Sequence, residues 1–249
     1  MIFAKNTPNN MGIAVYGDYL DIEELYEALH AIVGEEEEYP AYETARLRVL
    51  GVCYDMRHAL MGNREMEFVE NGLDDEKKKW LGVIAPDKNI YLKFHVFWPE
   101  MLFVLMALND FVKLYARKNA KKSYDVMVDK RNIWDPSIAM VRVFQSSVIK
   151  CIKETVSDAS FPRMMNLMNK DYTWFDHYAT QYVDILNCRF MDMDKDKRIK
   201  SIPTMAKRLA EFGDEYQQVK NHVFVVAREY NCPISAIRPN VEYPEEFEW

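Results

Sequence analysis

The chain has 249 residues, 49% of them hydrophobic, with a formal net charge of -7. That length makes one large domain or two small ones, and it can bury a sizeable core. The negative balance argues against nonspecific nucleic-acid binding, and 15 Met against 8 Gly favours helix over an all-β sandwich.

Residues 2–5 read as a short first strand and residues 12–16 as a second. Between them Thr7-Pro8-Asn9-Asn10 supplies turn chemistry, since Pro fixes φ and Asn tolerates left-handed geometry, so 2–17 is predicted as a hairpin. Asp21 is then expected to cap a helix over 22–33, with Glu24 three residues on as its capping-box partner. Ile22, Leu25, Tyr26, Leu29, Ile32 and Val33 make its apolar face, and Gly34 stops it. The four carboxylates of 35–38 read as a solvated loop. A second helix runs over about 41–61, closed by Gly62-Asn63.

Residues 64–98 read as a second β region: a strand at 65–69, a helical turn at 74–80 and a strong strand at 90–98. Ile90, Leu92, Phe94, Val96 and Trp98 share one face of that strand. The turn Pro86-Asp87-Lys88-Asn89 would pair 81–85 with it. Pro99 suits the start of a helix over 99–118 that is apolar all round from 101 to 108, which predicts a central position. The basic run 117–122 falls at its end, where cations complement the helix dipole.

Asp135-Pro136 starts another helix, with Ile138, Val141, Phe144, Val148, Ile149 and Ile152 as the buried stripe and Arg142, Ser146, Lys150 and Lys153 facing away. Three more helices are predicted over 161–168, 173–190 and 204–230, the last breaking near Gly213-Asp214. The acidic, aromatic tail 242–249 either docks on the body or stays loose. The whole is predicted as α+β: a small, mainly antiparallel sheet packed on a helical body. It reads as a single domain over 1–249, with an N-terminal α+β part at about 1–118 and a helical part at about 135–230.

Candidate chemistry is tested against helix geometry. Glu27/His30 and Asp55/His58 have the Glu-x-x-His spacing of di-iron bundles but project away from the predicted core. Asp192, Asp194 and Asp196 begin like a calcium loop, yet its sixth and twelfth places hold Lys197 and Pro203. His177, Gln181, Asp184 and Cys188 form a polar stripe. His177 and Cys188 are roughly 16 Å apart along the axis, so they cannot act as a dyad, and the stripe reads as an outer face or subunit contact. Arg46 and Arg57 fall on the apolar side of the second helix. Either they snorkel or pair with carboxylates, or, with Lys93 beside His95 on the strong strand, they line an anion pocket. No metal site and no cofactor is expected.

Cys53, Cys151, Cys188 and Cys232 are far apart, which suggests free thiols in a reducing cytoplasm. No signal peptide is visible, and the most apolar stretch, 96–108, is too short to span a bilayer, so no membrane association is expected. The pattern Thr7-Pro8-Asn9, Gly12, Gly17-Asp18-Tyr19, Asp21, Leu25-Tyr26, Ala28-Leu29 and Ile32-Val33-Gly34 resembles an uncharacterised bacterial family of unknown-function domains. Trp98-Pro99-Glu100-Met101-Leu102-Phe103 belongs to the same pattern. The resemblance implies a bacterial cytoplasmic protein and carries over no functional residue. The functional expectation is a noncatalytic interaction or regulatory module, working with a protein partner or as a homodimer. The alternative is an enzyme or small-anion binder with a pocket between sheet and helices.

Overall fold

Phe3–Asn6 (β1) and Gly12–Gly17 (β2) form the predicted antiparallel hairpin, with Phe3 opposite Tyr16 and Asn6 opposite Ile13. Its turn closes as the residue types demand. Thr7 Oγ1 accepts from the Gly12 N–H at 3.0 Å, and Asn10 takes a left-handed φ of 58°. The computed structural model describes residues 1–121, 124–170, 174–244 and 247–249. Lys122 of the basic run, the start of the helix expected at 173, and Glu245-Glu246 of the tail lie outside the described residues.

Tyr19–Val33 (α1) follows β2. Its cap differs from the expected one. Asp18 is the N-cap and accepts from the Asp21 N–H at 2.9 Å, while Asp21 reaches back to the Asp18 N–H at 3.0 Å. Both residues suit either role, so the helix simply starts three residues earlier. Glu43–Leu60 (α2) follows a 3-10 turn at Pro40–Tyr42. Its buried stripe is Ala45, Val49, Val52, Cys53, Met56 and Ala59.

Glu65–Glu70 (β3), Asp75–Leu81 (α3) and Lys88–Phe97 (β4) make the second β region. The sheet order is β1-β2-β4-β3, antiparallel throughout. The strand paired with β4 on its outer side is β3, with Glu65 opposite Lys93 and Glu70 opposite Lys88. Residues 82–87 are irregular, so the expected pairing of 81–85 with β4 does not form. On the core face Leu92, Phe94 and Val96 are buried, whereas Ile90 is 51% exposed.

Trp98–Asn119 (α4) is the central helix: every residue from 101 to 108 is buried. Pro136–Thr155 (α5) is capped by the Asp135 side chain, which accepts from the Ile138 N–H at 2.9 Å. Arg142 does not face away as expected; it turns onto α4, where its Nη1 donates to Asn109 Oδ1 at 2.5 Å.

Ser160–Met168 (α6), Gln181–Met191 (α7), Lys195–Glu211 (α8) and Asp214–Glu229 (α9) complete the body. Residues 174–180 are not helical. His177 sits at φ 50°, and Phe175 and Tyr178 pack into an aromatic cluster with Phe103, Phe212 and Tyr216. The helix expected at 204 begins at Lys195, capped by Asp194, and carries Pro203 inside it. An internal proline costs about 3 kcal/mol. Burial of Ile202, Met205, Ala206 and Leu209 on both sides of it offsets that cost. One hydrophobic cluster runs from Ile2 to Tyr216 and joins the sheet to all these layers. Among the described residues no helix is long and apolar enough to cross a membrane.

Candidate functional site

A cleft of about 730 Å³ opens where β3 stops short of the end of β4. Trp98 N–H donates to Met11 O across the sheet at 3.3 Å. Antiparallel alternation then turns the backbone groups of Val96 toward β2 and those of His95 and Phe97 the other way. The β3 register ends at Glu65 opposite Lys93, so beyond it this edge of β4 faces the cleft. Helix α2 supplies the opposite wall with Arg48, Gly51, Val52 and Asp55.

The floor is an ion cluster. Arg48 Nη1 lies 3.2 Å from Glu100 Oε2, and Nη2 lies 2.6 Å from Asp184 Oδ2 and donates to Thr180 O at 2.9 Å. Asn187 Nδ2 also donates to Glu100 Oε2, at 3.0 Å. Burial works against the charge on Arg48, but the two carboxylates more than reverse this and hold its pKa above the ordinary arginine value. For Glu100 burial wins: its carboxyl is pushed up despite the pull of Arg48 and Asn187.

The rim carries two more pairs. Arg64 Nη2 meets Asp55 Oδ1 at 2.7 Å, and Lys93 Nζ meets Glu65 Oε2 at 2.6 Å. The tail docks and forms the remaining wall. The Trp249 indole stacks on His95 and on Phe97, the Asn9 N–H donates to Trp249 O at 2.9 Å, and the Tyr243 hydroxyl donates to Asp184 Oδ1 at 3.3 Å.

Of the three residues expected around an anion pocket, Lys93 lines this cleft. Arg46 does not: its Nε donates to Gly34 O at 3.0 Å and its Nη1 pairs with Glu43 at 3.1 Å, closing the end of α1. Arg57 is exposed and lies outside the cleft. The arginine at the floor is Arg48, three residues after Ala45 and four before Val52, on the edge of the true buried stripe. The expectation that placed Arg46 and Arg57 on the apolar side turned the helix too far, since the buried stripe is Ala45, Val49, Val52, Cys53, Met56 and Ala59. Of the stripe expected on an outer face, Gln181 and Asp184 turn inward on α7, whereas His177 lies before that helix and is exposed. Gln181 Nε2 donates to Ile234 O at 2.8 Å and Ile237 O at 2.9 Å, and Asp184 receives Arg48.

Glu27 and His30 are exposed, and Asp55 is held by Arg64. Among the described residues no group of three His, Cys, Asp or Glu is placed to hold a metal ion. Burial pushes the Cys53 thiol up to about 12 and the Cys151 thiol up to about 11, which makes both poor nucleophiles.

A second feature adjoins the cleft at Glu65. The segment 65–91 carries Phe68 at 63% exposure, Trp80 at 84% and Ile84 fully exposed, with Met66, Leu81 and Ile90 also exposed. Helix α3 buries none of its residues. Strand β3 is an edge strand, and its three glutamates are matched by lysines of the same sheet: Glu65 by Lys93, Glu67 by Lys5 at 3.6 Å and Glu70 by Lys88 at 3.3 Å. Lys78 and Lys79 on α3 have no ion pair among the described residues.

The chain belongs to a family described as a domain of unknown function, DUF6904, whose model matches residues 2–249. No curated protein matches it, and no solved structure does.

Proposed function

We propose that this chain is a noncatalytic interaction module that works as a homodimer through the segment 65–91. One observation carries the reading: α3 has no buried residue, yet it ends in Trp80 and Leu81. A seven-residue helix is marginal in water without a face to pack. An apolar surface beside an open strand edge is what a docked partner covers.

A second copy is the occupant that the charges favour. Glu65, Glu67 and Glu70 line the edge strand, each shared with a lysine of its own sheet but still partly exposed, while Lys78 and Lys79 on the helix of the same segment have no ion pair among the described residues. A two-fold axis brings the acidic strand of one protomer to the basic helix of the other, so the patch is its own complement. The same reading puts the protein in a bacterial cytoplasm, supported by the N-terminal resemblance and by the free thiols of Cys53, Cys151, Cys188 and Cys232. Light scattering on eluted protein is expected to give twice the chain mass, and a double substitution, Trp80→Asp with Ile84→Asp, is expected to give the single mass. A single mass for the unaltered chain at high concentration overturns the reading.

The cleft supports a second reading, a small-molecule site. Its specific support is the combination of Lys93, the unpaired edge at His95 and Phe97, and the flat Trp249 indole, which together suit a planar ligand with an anionic group. Each cation there already has a carboxylate, so such a ligand displaces Glu65 to reach Lys93. A ligand response that Lys93→Ala leaves unchanged removes this second reading.

A further inference from the structure

Arg142 differs from the other arginines that the fold draws inward. Arg198 also lacks a paired carboxylate among the described residues, but its Nε, Nη1 and Nη2 each donate to a backbone carbonyl, of Phe190, Asn9 and Met191. Arg48 meets two carboxylates and Arg46 meets one. Arg142, half-buried on α5, has no carboxylate within ion-pair distance among the described residues. Its Nη1 is held by two amide oxygens, Asn109 Oδ1 at 2.5 Å and Gln145 Oε1 at 2.7 Å. Gln145 is itself fixed, since its Nε2 donates to Leu105 O at 2.9 Å. The guanidinium is therefore oriented by neutral groups and not neutralised. Its Nε and Nη2 find no acceptor among the described residues.

Arg142 lines a cavity of about 310 Å³ between α4, α5 and α6. The cavity's other walls are largely apolar: Leu105, Met106, Ile149, Met165 and Met168. A smaller cavity of about 240 Å³ shares Arg142 and adds Lys113, Lys170 and Asp110, whose carboxylate already accepts from the Phe175 N–H. Burial lowers the Arg142 pKa with no neighbouring charge to raise it, the reverse of Arg48. A half-buried cation without a counter-charge gains when a ligand supplies one.

We propose that this cavity is a binding site for a small monocarboxylate with an unbranched apolar body. The Nε and Nη2 edge of a guanidinium matches the two oxygens of a carboxylate. The methionine thioethers adapt to a flexible hydrocarbon chain. The volume suits a chain of several carbons, at the small end of ligand pockets, which start at about 300 Å³. The site is separate from the β4 cleft and from the segment 65–91, so it does not depend on either reading above.

Hexanoate, hexanamide and inorganic phosphate are the probes, added to the full chain in titration calorimetry, with the Met165 and Met168 methyl resonances followed by NMR. Hexanoate is expected to bind and to shift both methyls. Hexanamide, the same shape without charge, is expected to bind at least about tenfold more weakly, and Arg142→Gln to lose at least about tenfold in hexanoate affinity. Should Arg142→Gln fail to fold, the hexanoate and hexanamide comparison tests the charge on the unaltered chain. No hexanoate binding, equal binding of hexanamide, or shifts confined to other methyls overturns the proposal. So does phosphate binding that excludes hexanoate with higher affinity.

Discussion

The His95 imidazole and the Trp249 indole lie face to face, 4.8 Å apart with their planes 17° from parallel. Burial, then Lys93, hold the His95 pKa below the ordinary 6.5, against smaller opposite pulls from Glu65 and Asp55. Between the folded and unfolded pKa values the unfolded chain binds a proton that the fold refuses. Stability is therefore intact above pH 6.5 and falls as pH drops through that value. The urea midpoint is expected to fall between about pH 7.5 and about pH 5.5, and to fall less in His95→Phe, which keeps the stack without the titration. Equal falls in the two proteins contradict this.

Arg48 holds two carboxylates, Glu100 and Asp184, whose side chains are 15% and 17% exposed. Arg48→Met leaves both without their cation, at a cost of about 3 kcal/mol near neutral pH. Glu100 already sits above its ordinary pKa through burial, so without Arg48 it protonates more readily as pH falls. The cost of Arg48→Met is expected to shrink at acidic pH, and to shrink at neutral pH when Glu100→Gln is added. Denaturation of the single and double variants measures both.

Local rules made much of the fold readable and stopped at the site. The hairpin turn, the Asp135 cap and the all-apolar run at 101–108 each declare themselves within a few residues, and each stands where expected. The helix expected at 204 starts nine residues earlier, at Lys195, because Pro203 is tolerated inside it where Ile202, Met205 and Leu209 bury on either side. The cleft floor joins Arg48, Glu100 and Asp184 from α2, α4 and α7. Helical periodicity tells which way a side chain leaves its own helix, not which helix it meets. The docking of Trp249 on His95 was equally out of reach, since it depends on how a tail crosses a surface assembled from distant segments.

Gly12 is required by the close approach of two strands. A Cβ built there stands 2.1 Å from the Val96 carbonyl oxygen, a backbone atom that cannot swing aside. Gly12→Ala is expected to force β2 away from β4 and to cost about 2 kcal/mol or more. Thermal unfolding checks this, and a melting temperature equal to wild type contradicts it.

The α1 cap distinguishes two carboxylates six residues apart, Asp18 and Glu24. Asp18→Ala removes the side chain that accepts from the Asp21 N–H and is expected to cost about 1 kcal/mol. Glu24→Ala removes an exposed carboxylate that stands outside the capping box and is expected to be neutral within about 0.5 kcal/mol. Chemical denaturation of the two variants side by side distinguishes them.

The strand order has a consequence for a chain emerging from the ribosome. β4 lies between β2 and β3 and reaches Phe97, so until it is made β3 has no partner strand and β2 has only β1. The helices α1 and α2 pack on each other and are complete by Leu60, but α4, which touches both, and α5, on which α1 also packs, begin only at Trp98 and Pro136. Their apolar stripes wait in the open for that stretch of synthesis, which is when a binding chaperone has the most to grip. Folding of the N-terminal part is therefore completed only by the arrival of β4, α4 and α5, after the β1–β2 hairpin and the α1–α2 pair have been synthesised.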